Sequence, residues 1–379
     1  MNNLGLYFHI PFCLQKCPYC SFYSLAGRTD LHARYAQALI TQLCSCVEVY
    51  QGQLRPLTSI FFGGGTPTLL SPEILAELLA ECLTRYPCID EAEISIEVNP
   101  ATVDAVGLAH LRRAGFNRLS IGVQSLNDTE LCQLGRPHTV TDAVQTVQWA
   151  REAGFDNINL DLMYGLPGQK VEAWQTTLEQ ALSLRPEHLS IYELTLEEGT
   201  PFFRQYAQGL FSLPEEEAVL LMLEETQQLL HQAGLQHYEI SNYARPGRQC
   251  QHNINYWQNG EYLGFGAGAV AFLAGTRYTA LADVEQFCLY MEQSKEVWAE
   301  QEQLDPEASF RETVIMGLRM TAGLSLAELE DRFGFDAEDY YGETLERLLR
   351  QGLLRIVQGY LQFTAEGLLL ANAVMAELV

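Results

Sequence analysis

Short apolar runs rich in β-branched residues alternate with longer amphipathic stretches through the first half of the chain. The apolar runs predict buried strands at residues 4–9, 59–62, 93–98, 118–123, 158–163 and 189–194. Helical periodicity between them predicts helices at 31–50, 71–86, 102–114, 141–153 and 171–184. Six strand–helix units in succession predict a parallel sheet, which is either doubly wound or rolled into a full or partial barrel.

The positions of glycine and polar residues favour the barrel. They recur where the predicted strands end, in Gly63-Gly64-Gly65-Thr66-Pro67, Glu97-Val98-Asn99-Pro100, Gly122-Val123-Gln124-Ser125 and the run from Asp161 to Gly168. Because βα barrels keep their active sites at the carboxyl ends of the strands, this placement predicts a partial (β/α)6 barrel with a site at that face.

The pattern changes after a long helix predicted at 215–233. Residues 236–278 are predicted as an irregular β region and 295–306 as a linker. Beyond them, helices at 308–320, 325–333 and 338–351, a hairpin around Gly359 and a helix at 364–378 predict a winged-helix-like module. The predicted fold is therefore α/β, with three parts: a barrel over 1–235, an irregular α+β extension and linker over 236–306, and the winged-helix-like module over 307–379.

Three cysteines near the start of the chain carry the strongest chemical signal. Cys13, Cys17 and Cys20 have the spacing C-x3-C-x2-C. Three such thiolates can bind three irons of a 4Fe–4S cluster, which leaves the fourth iron open to a small molecule. Two alternatives are zinc, which usually takes four Cys or His ligands, and cysteines that serve only as small core residues.

Charge and composition limit the partners that the chain can have. The 48 acidic residues outnumber 23 basic ones, and the formal net charge is −25. We therefore expect no nucleic-acid binding, including by the acidic winged-helix-like module, and no affinity for anionic membranes. No apolar run is long enough for a stable membrane anchor, and the first residues lack a signal peptide. A cytoplasmic location, where free thiols persist, is expected.

The cysteine spacing, with Tyr19 before the last cysteine, and the Gly-Gly-Gly-Thr-Pro run together resemble the radical S-adenosylmethionine superfamily. The resemblance implies a partial barrel, a 4Fe–4S cluster on Cys13, Cys17 and Cys20, and S-adenosylmethionine on its open iron. It also implies a set of residues around that ligand: Tyr7, Tyr19, Gly64, Gly65, Thr66, Glu97, Gln124, Arg136 and Asp161. For each of these, a purely structural role at a strand end is the alternative.

Four motifs narrow the resemblance to the branch around oxygen-independent coproporphyrinogen III oxidase: Tyr7-x-His9-Ile10-Pro11-Phe12-Cys13, Glu97-x-Asn99-Pro100, Gly122-x-Gln124-Ser125 and Asp161-Leu162-Met163-Tyr164-Gly165-Leu166-Pro167-Gly168. The oxidases have a further cysteine two residues after the third ligand, where this chain has Phe22. Phe22 instead matches the sister group of heme chaperones, as does the segment His252-Asn253-x-x-Tyr256-Trp257.

The resemblance to the heme chaperones implies that the chain binds heme and passes it to respiratory proteins such as cytochromes. The cluster would serve in assembly, in regulated transfer or in forming a homodimer. Heme needs an axial ligand, and His252 is the candidate, with a hydrogen-bonded structural histidine as the alternative. Cys250 is a weaker candidate, and His9 is expected to support the cluster loop.

Two other functions remain open on sequence grounds. One is the oxidase reaction, oxidative decarboxylation of coproporphyrinogen III, which Phe22 disfavours. The other is an acidic interaction module with a zinc knuckle, which the glycine and carboxylate motifs disfavour. The run from Gly264 to Ala269 fits a dinucleotide-binding fingerprint by letter, but the expected βαβ unit is missing, so it is interpreted as close-packed turn backbone.

Overall fold

The computed structural model of the protein describes residues 4–50 and 55–379. The strands of the first half are β1 (Leu4–Ile10), β2 (Phe12–Cys13), β3 (Leu25–Ala26), β4 (Leu57–Gly64), β5 (Cys88–Val98), β6 (Arg118–Gln124), β7 (Ile158–Tyr164) and β8 (His188–Glu193). The helices are α1 (His32–Tyr50), α2 (Pro72–Arg85), α3 (Ala105–Ala114), α4 (Asp128–Gln133), α5 (Val140–Glu152), α6 (Val171–Ser183), α7 (Pro201–Ala207) and α8 (Glu216–Gln232). Two short 3₁₀ helices span Thr29–Leu31 and Pro67–Leu69.

Six parallel strands lie side by side in the order of the sequence, β1-β4-β5-β6-β7-β8. A doubly wound sheet would reverse direction from its first strand, so this order confirms the barrel prediction. All six predicted strands and the long helices are present. The structure adds α4 and α7, which have six and seven residues and are too short to show a helical period in the sequence.

The helices begin where the sequence supplies side chains that accept hydrogen bonds from free backbone N–H groups. Ser71, Asp104 and Thr139 cap α2, α3 and α5 in this way, and Asp142 completes a capping box with Thr139. Gly115 ends α3 with φ of +117°, a conformation that favours glycine. The Ala-Gly-Phe turn at 114–116 is thus a helix C-cap.

The middle of the chain extends the barrel sheet at both ends. Its elements are β9 (Gln236–Glu239), β10 (Asn242–Ala244), α9 (Gln251–Trp257), β11 (Glu261–Phe265), β12 (Val270–Leu273), β13 (Thr276–Ala280), α10 (Val284–Glu292) and β14 (Trp298–Gln303). β11 pairs in parallel with β1, and β12, β13 and β14 follow antiparallel, while β10 and β9 follow β8. The resulting twelve-stranded sheet has β14 and β9 at its two edges, so the barrel is partial.

The prediction of a linker at 295–306 is wrong for most of that segment. Residues 298–303 form the edge strand β14, which pairs with β13. After Trp298 its side chains are exposed. An edge strand of this kind lacks the alternation of apolar and polar residues by which a strand is recognised in a sequence. The three-part division of the chain stays a prediction, since one sheet runs through the first two parts.

The last part contains α11 (Pro306–Leu318), β15 (Leu324–Ser325), α12 (Leu326–Phe333), α13 (Ala337–Tyr341), α14 (Glu343–Arg350), β16 (Leu354–Val357), β17 (Tyr360–Phe363), α15 (Ala365–Leu369) and α16 (Ala371–Ala376). The predicted hairpin is present, with Gln358 and Gly359 both at positive φ in its turn. The helix predicted at 338–351 is broken at Gly342, where φ is +46°, and the one at 364–378 at Leu370.

The C-terminal part has its own apolar core and contacts the barrel through its backbone. The Ile240 N–H donates to the Arg319 carbonyl at 3.1 Å, and the Thr321 N–H donates to the Tyr238 carbonyl at 3.0 Å. The Arg319 guanidinium also lies 4.3 Å from the centre of the Trp257 ring. No helix among the described residues combines the length and the apolar character needed to cross a membrane.

The interpretation of Gly264 and Gly266 as close-packed backbone agrees with the structure. A Cβ on Gly264 would overlap the carbonyl oxygen of Val270, and one on Gly266 would overlap the Tyr35 hydroxyl. β11 is followed by β12 rather than by a helix. A dinucleotide fingerprint needs a helix N-terminus at this point to face the pyrophosphate, so the segment is structural.

One buried carboxylate closes the amino end of the barrel. Glu93 on β5 accepts the backbone N–H of Gln251 at 3.0 Å and that of His252 at 3.3 Å, at the first turn of α9. Its oxygen also lies 3.9 Å from Nε of the buried Arg118 on β6. Glu93 therefore holds α9 beneath the barrel and balances the charge of Arg118.

We expect Glu93→Ala to lower the free energy of unfolding by about 3–5 kcal/mol, because it leaves the buried Arg118 charge and two N–H groups without their acceptor. Chemical denaturation monitored by circular dichroism measures this. Glu91→Ala, at an exposed position on the same strand, is the matched control and should change stability by less than about 0.5 kcal/mol. Equal effects of the two substitutions would contradict the role given to Glu93.

Candidate functional site

All three motif cysteines line one cavity at the carboxyl ends of β1, β4, β5 and β6. The cavity has a volume of about 70 Å³ and is partly open to solvent. Its walls come from the cysteine loop, the glycine turn after β4, the residues after β5 and the segment after α4: Cys13, Leu14, Gln15, Lys16, Cys17, Tyr19, Cys20, Ser24, Gly64, Gly65, Thr66, Asn99, Thr102, Arg136 and Pro137. The structure thus unites residues that are more than 100 positions apart.

The cysteine loop is held at its base by backbone pairing. β2 and β3 pair in parallel, and the Leu25 N–H donates to the Pro11 carbonyl at 2.6 Å. Inside the loop, a turn forms where the Cys20 N–H donates to the Cys17 carbonyl at 3.1 Å. Cys17 is buried, whereas Cys13 and Cys20 are partly exposed. Three thiols therefore point toward one opening from a short, closed loop.

The arrangement of these cysteines bears on the zinc alternative. Within residues 4–50 and 55–379, no three His, Cys, Asp or Glu side chains converge as they would on one metal ion. A zinc ion needs its ligands about 2.3 Å from a single point, whereas a 4Fe–4S cluster takes each cysteine on a different iron. A cluster therefore does not require the three thiols to meet at one point.

Two of the thiols accept hydrogen bonds from residues in other loops, Thr66 after β4 and Arg136 after α4. The Thr66 hydroxyl donates to Cys13 Sγ at 3.8 Å, and Arg136 Nη1 donates to Cys17 Sγ at 3.6 Å. Asn99 connects the two donors, since its Nδ2 donates to Thr66 Oγ1 at 2.6 Å and its Oδ1 accepts from Arg136. The sequence reasoning quoted Asn99 within a motif but did not select it, although an Asn-Pro pair directly after a strand was the available signal.

The glycine turn is required by the close approach of two backbones. The Gly65 N–H donates to the Ile10 carbonyl at 2.9 Å, and a Cβ on Gly65 would lie 2.6 Å from the Phe12 carbonyl oxygen. Gly64 has φ of +114°, and a Cβ there would meet the His9 ring at 2.6 Å. A side chain at either position would push the turn away from the cysteine loop. The alternative of an ordinary tight turn does not account for these contacts.

Two carboxylates lie inside the barrel below this turn. Glu97 accepts the Gly64 N–H at 3.0 Å, and Asp161 accepts from Asn159 Nδ2 at 2.7 Å. Enclosure by protein, with the Asp161 charge adding to it, raises the pKa of Glu97 to about 8. Enclosure also raises the pKa of Asp161. At neutral pH the interior therefore has acceptors for hydroxyl and ammonium groups, and Glu97 can gain or lose a proton there.

The remaining predicted site residues lie at different distances from the cavity. Tyr7 faces the barrel interior, where its hydroxyl is hydrogen-bonded to His9 Nδ1 at 3.0 Å. Gln124 ends β6 with φ of +66°, a left-handed backbone that is uncommon for a side-chain-bearing residue. Tyr192, which the sequence analysis did not select, is 40% exposed and lies near Asp161 and Glu97, where partial desolvation and the two carboxylates raise its pKa. Strand alternation on β8 could have identified it.

His252 is enclosed in the core instead of lining the cavity. Its side chain is 1% exposed, Nδ1 is hydrogen-bonded to Ser59 at 2.9 Å, and Nε2 is hydrogen-bonded to Tyr256 at 3.0 Å. Burial lowers the pKa of His252 to about 3. A heme ligand needs a free ring nitrogen that heme can reach, so this arrangement disagrees with the predicted ligation and favours the structural alternative. Cys250 is likewise fully buried, against Glu93.

Phe22 and Arg136 also differ from the sequence-based picture. Phe22 is 70% exposed and does not line the cavity, so its ring faces solvent beside the cysteine loop.

Arg136 Nη2 donates hydrogen bonds to the Gly122 carbonyl at 2.9 Å and to Asn99. Its Nε is buried and has no hydrogen-bond partner. A guanidinium that lines the cavity beside Cys17 suits an anionic group such as a carboxylate.

Comparison with known proteins places these features in a family. Residues 7–181 match the radical SAM superfamily, and residues 304–370 match the HemN C-terminal domain. The heme chaperone HemW of Bacillus subtilis is 36% identical to this chain, covering 97% of each sequence. The heme chaperone HemW of Escherichia coli is 39% identical, covering 98% of this chain and 97% of its own.

A solved structure extends the comparison to the fold. It is described as coproporphyrinogen III oxidase (HemN) from Escherichia coli, a radical SAM enzyme, and it matches with a TM-score of 0.86 and 27% sequence identity. The match covers 100% of this chain and 90% of that one. The barrel and the C-terminal part therefore share the architecture of that protein.

The raised pKa of Glu97 predicts a pH-dependent stability. Between the usual carboxyl pKa and about 8, the unfolded chain has lost the proton that the folded chain retains, so stability falls as pH rises. We expect Glu97→Gln to gain stability relative to the native protein by more than about 1 kcal/mol between pH 5 and pH 8.5, since one pKa unit is worth about 1.4 kcal/mol. Denaturant unfolding of the metal-free protein measures the difference.

Glu152→Gln, which removes an exposed carboxylate at the end of α5, is the control for this measurement. Its stability relative to the native protein should be the same at both pH values. If the Glu97→Gln difference were also constant with pH, Glu97 would not be the enclosed, proton-retaining carboxyl described above.

Proposed function

The chain belongs to the HemW family of radical S-adenosylmethionine proteins, and on this premise we propose that it is a heme chaperone, which binds heme and delivers it to acceptor proteins. One observation carries the proposal: relatives named as heme chaperones are 36% and 39% identical to the chain across nearly its whole length. The matched oxidase is 27% identical. The superfamily implies a 4Fe–4S cluster and S-adenosylmethionine.

We further propose that Cys13, Cys17 and Cys20 hold the cluster and leave one iron open. Such a cluster supplies a one-electron donor and a coordination site for the amino and carboxylate groups of S-adenosylmethionine. The chain's own residues keep the thiols in place, since Thr66 donates to Cys13 and Arg136 donates to Cys17. Gly64 and Gly65 keep the wall of the site free of side chains, so that a ligand can contact the backbone.

The interior polar groups suit the rest of this ligand. Glu97 and Asp161 can accept hydrogen bonds from ribose hydroxyls or from an ammonium group, and the positive charge of Arg136 in the cavity wall suits a carboxylate. Tyr7 and Tyr19 offer aromatic surface around the same space. Gln124 lies at the end of β6, where its left-handed backbone sets the direction of its side chain. Carboxylates and a guanidinium in one site suit a ligand that carries both a positive and a negative group.

The oxidase reaction is the less favoured function because of Phe22. At the position where the resemblance places a further cysteine in the oxidases, this chain presents an aromatic ring that is 70% exposed. A phenyl ring offers neither a proton nor a ligand atom to a reaction at the cluster. An exposed aromatic surface is, however, suited to a planar apolar molecule.

The heme ligand is left open by this proposal, because both His252 nitrogens are already hydrogen-bonded. Respiratory proteins as heme acceptors, a homodimer and a cytoplasmic location stay predictions. The strong negative charge and the acidic C-terminal part support the absence of a nucleic-acid partner.

The cluster assignment predicts that Cys17→Ser lowers iron and labile sulfide after anaerobic reconstitution from about four of each per chain to well below half of that. The reason is that a serine hydroxyl is a poor ligand for cluster iron. Cys132→Ser is the matched control, because Cys132 is exposed on α4 and distant in sequence from the loop. Iron and sulfide that stay at the native level in Cys17→Ser would contradict the assignment.

The chaperone function predicts that one reconstituted sample binds heme and does not convert coproporphyrinogen III. Heme binding is measured by the shift of the Soret absorbance on titration, and turnover by the porphyrins formed with S-adenosylmethionine and a reductant. His252→Ala should keep the Soret shift. Robust protoporphyrinogen formation would contradict the chaperone proposal, and loss of heme binding in a folded His252→Ala variant would restore His252 as the ligand.

A further inference from the structure

Cys17 differs from the other two motif cysteines in its surroundings. It is the buried one of the three, and its sulfur accepts a hydrogen bond from Arg136 Nη1 at 3.6 Å. The Tyr19 hydroxyl is also hydrogen-bonded to Cys17. Cys13 has a neutral donor, Thr66, at 3.8 Å. Arg136 is therefore a cation hydrogen-bonded directly to a motif sulfur, whereas Lys16 acts on Cys20 through its charge.

The Arg136 guanidinium is fixed in position by groups that have no contact with the sulfur. Its Nη2 donates to the Gly122 carbonyl at 2.9 Å and to Asn99, so the plane of the group is set by β6 and by the end of β5. Its own backbone N–H donates to the Leu131 carbonyl at 2.9 Å, which anchors it to α4. The N–H that meets Cys17 is thus held in place before any ligand binds.

The segment that bears Arg136 also clasps the cysteine loop. The Gly135 carbonyl accepts from Gln15 Nε2 at 2.6 Å, and a Cβ on Gly135 would lie 2.8 Å from Pro18. Gly135 has φ of +63°, which favours glycine. These contacts keep the loop and the guanidinium together, so that the distance from Arg136 to Cys17 is set by the fold.

Electrostatics gives this contact a consequence for the cluster. Reduction adds one negative charge to a cluster that three thiolates already make anionic, inside a chain of net charge −25. Hydrogen bonds to the sulfurs and nearby positive charge favour the reduced form, and these are main determinants of cluster potential. A buried guanidinium is screened little by salt and keeps its charge at every accessible pH.

We propose that Arg136 is a positioning residue that raises the reduction potential of the cluster through its hydrogen bond to Cys17. The inference rests on the proposed function, because it needs the cluster to be bound by Cys13, Cys17 and Cys20. The electron comes from an external one-electron reductant, and the cluster gains one negative charge without a bond being broken.

The test is a potentiometric titration of the reconstituted protein with dithionite, followed by the electron paramagnetic resonance signal of the reduced cluster. We expect Arg136→Gln to decrease the equilibrium constant for reduction by at least about tenfold, which is a shift of about 59 mV to lower potential for one electron. Arg136→Lys keeps the charge but loses the planar fork, and it should shift the potential in the same direction by less.

Arg112→Gln is the matched control. Arg112 lies on α3 and donates to the Gly154 and Phe116 carbonyls, so its removal also takes away an arginine that bonds to backbone. It has no contact with the cysteine loop among its hydrogen bonds, and its midpoint potential should equal that of the native protein. An equal shift in this control would mean that net charge, and not the bond to Cys17, sets the potential, which would overturn the inference.

The outcomes separate this inference from the proposed function. Native protein that takes up no iron and sulfide would overturn the cluster assignment itself. Full iron and sulfide in both proteins, with the same midpoint in Arg136→Gln as in the native protein, would overturn the inference alone.

A second measurement covers an Arg136→Gln variant that fails to load. Native protein made with arginine labelled with ¹⁵N in the guanidinium should show a ¹⁵N coupling to the reduced cluster in pulsed paramagnetic resonance. Arg136→Lys, prepared in the same way, should lack it. Absence of the coupling in the native protein would also overturn the inference.

Discussion

The close packing of two backbone segments, with no side chain between them, is the constraint on which the site depends. The turn after β4 meets the start of the cysteine loop at Gly65, where the N–H bonds to the Ile10 carbonyl and a Cβ would collide with Phe12. Because the loop is seated against this turn, Thr66 reaches the sulfur of Cys13. The same contact places the Gly64 N–H on Glu97. A bulkier turn would separate the thiols from the polar interior.

The polar interior is arranged in two levels along the strands. Toward the carboxyl ends, Glu97 lies near the end of β5 and bonds to the glycine turn, and Asp161 lies at the middle of β7. At the amino end, Glu93 and Arg118 hold α9 as a plug. Enclosure raises the pKa of Glu97 and of Asp161, and Arg118 is the nearby cation that opposes this for both. The barrel thus contains charged groups in two arrangements. Glu93 and Arg118 balance each other at the amino end, whereas Glu97 and Asp161 are available to a ligand.

The same architecture can serve a chaperone or an oxidase, and the sequence difference between them lies beside the cysteine loop, at Phe22. The whole chain superposes on the oxidase, so the fold alone does not separate the two functions. Phe22 replaces a thiol with an exposed ring beside the loop. His252, in a motif that suggested heme ligation, supports the barrel instead: its ring lies against Phe61 and Tyr7, and through Tyr7 it backs the interior of the site. Heme binding is therefore expected to use surface that the motif does not mark.

The sequence by itself determined the strand–helix alternation, and it selected the glycine turn and the three cysteines that the structure brings to one cavity, because each depends on local periodicity or short spacing. Only the tertiary structure decided the rest. The edge strand β14 is polar on both faces and carries no periodic signal. The roles of Asn99 and Arg136 arise because the fold brings distant segments together, so that Asn99 meets Thr66 and Arg136 meets Cys17. The hydrogen bonding of His252 was also decided by the tertiary structure. The sequence shows a histidine beside aromatic residues, but it does not show that both ring nitrogens are hydrogen-bonded.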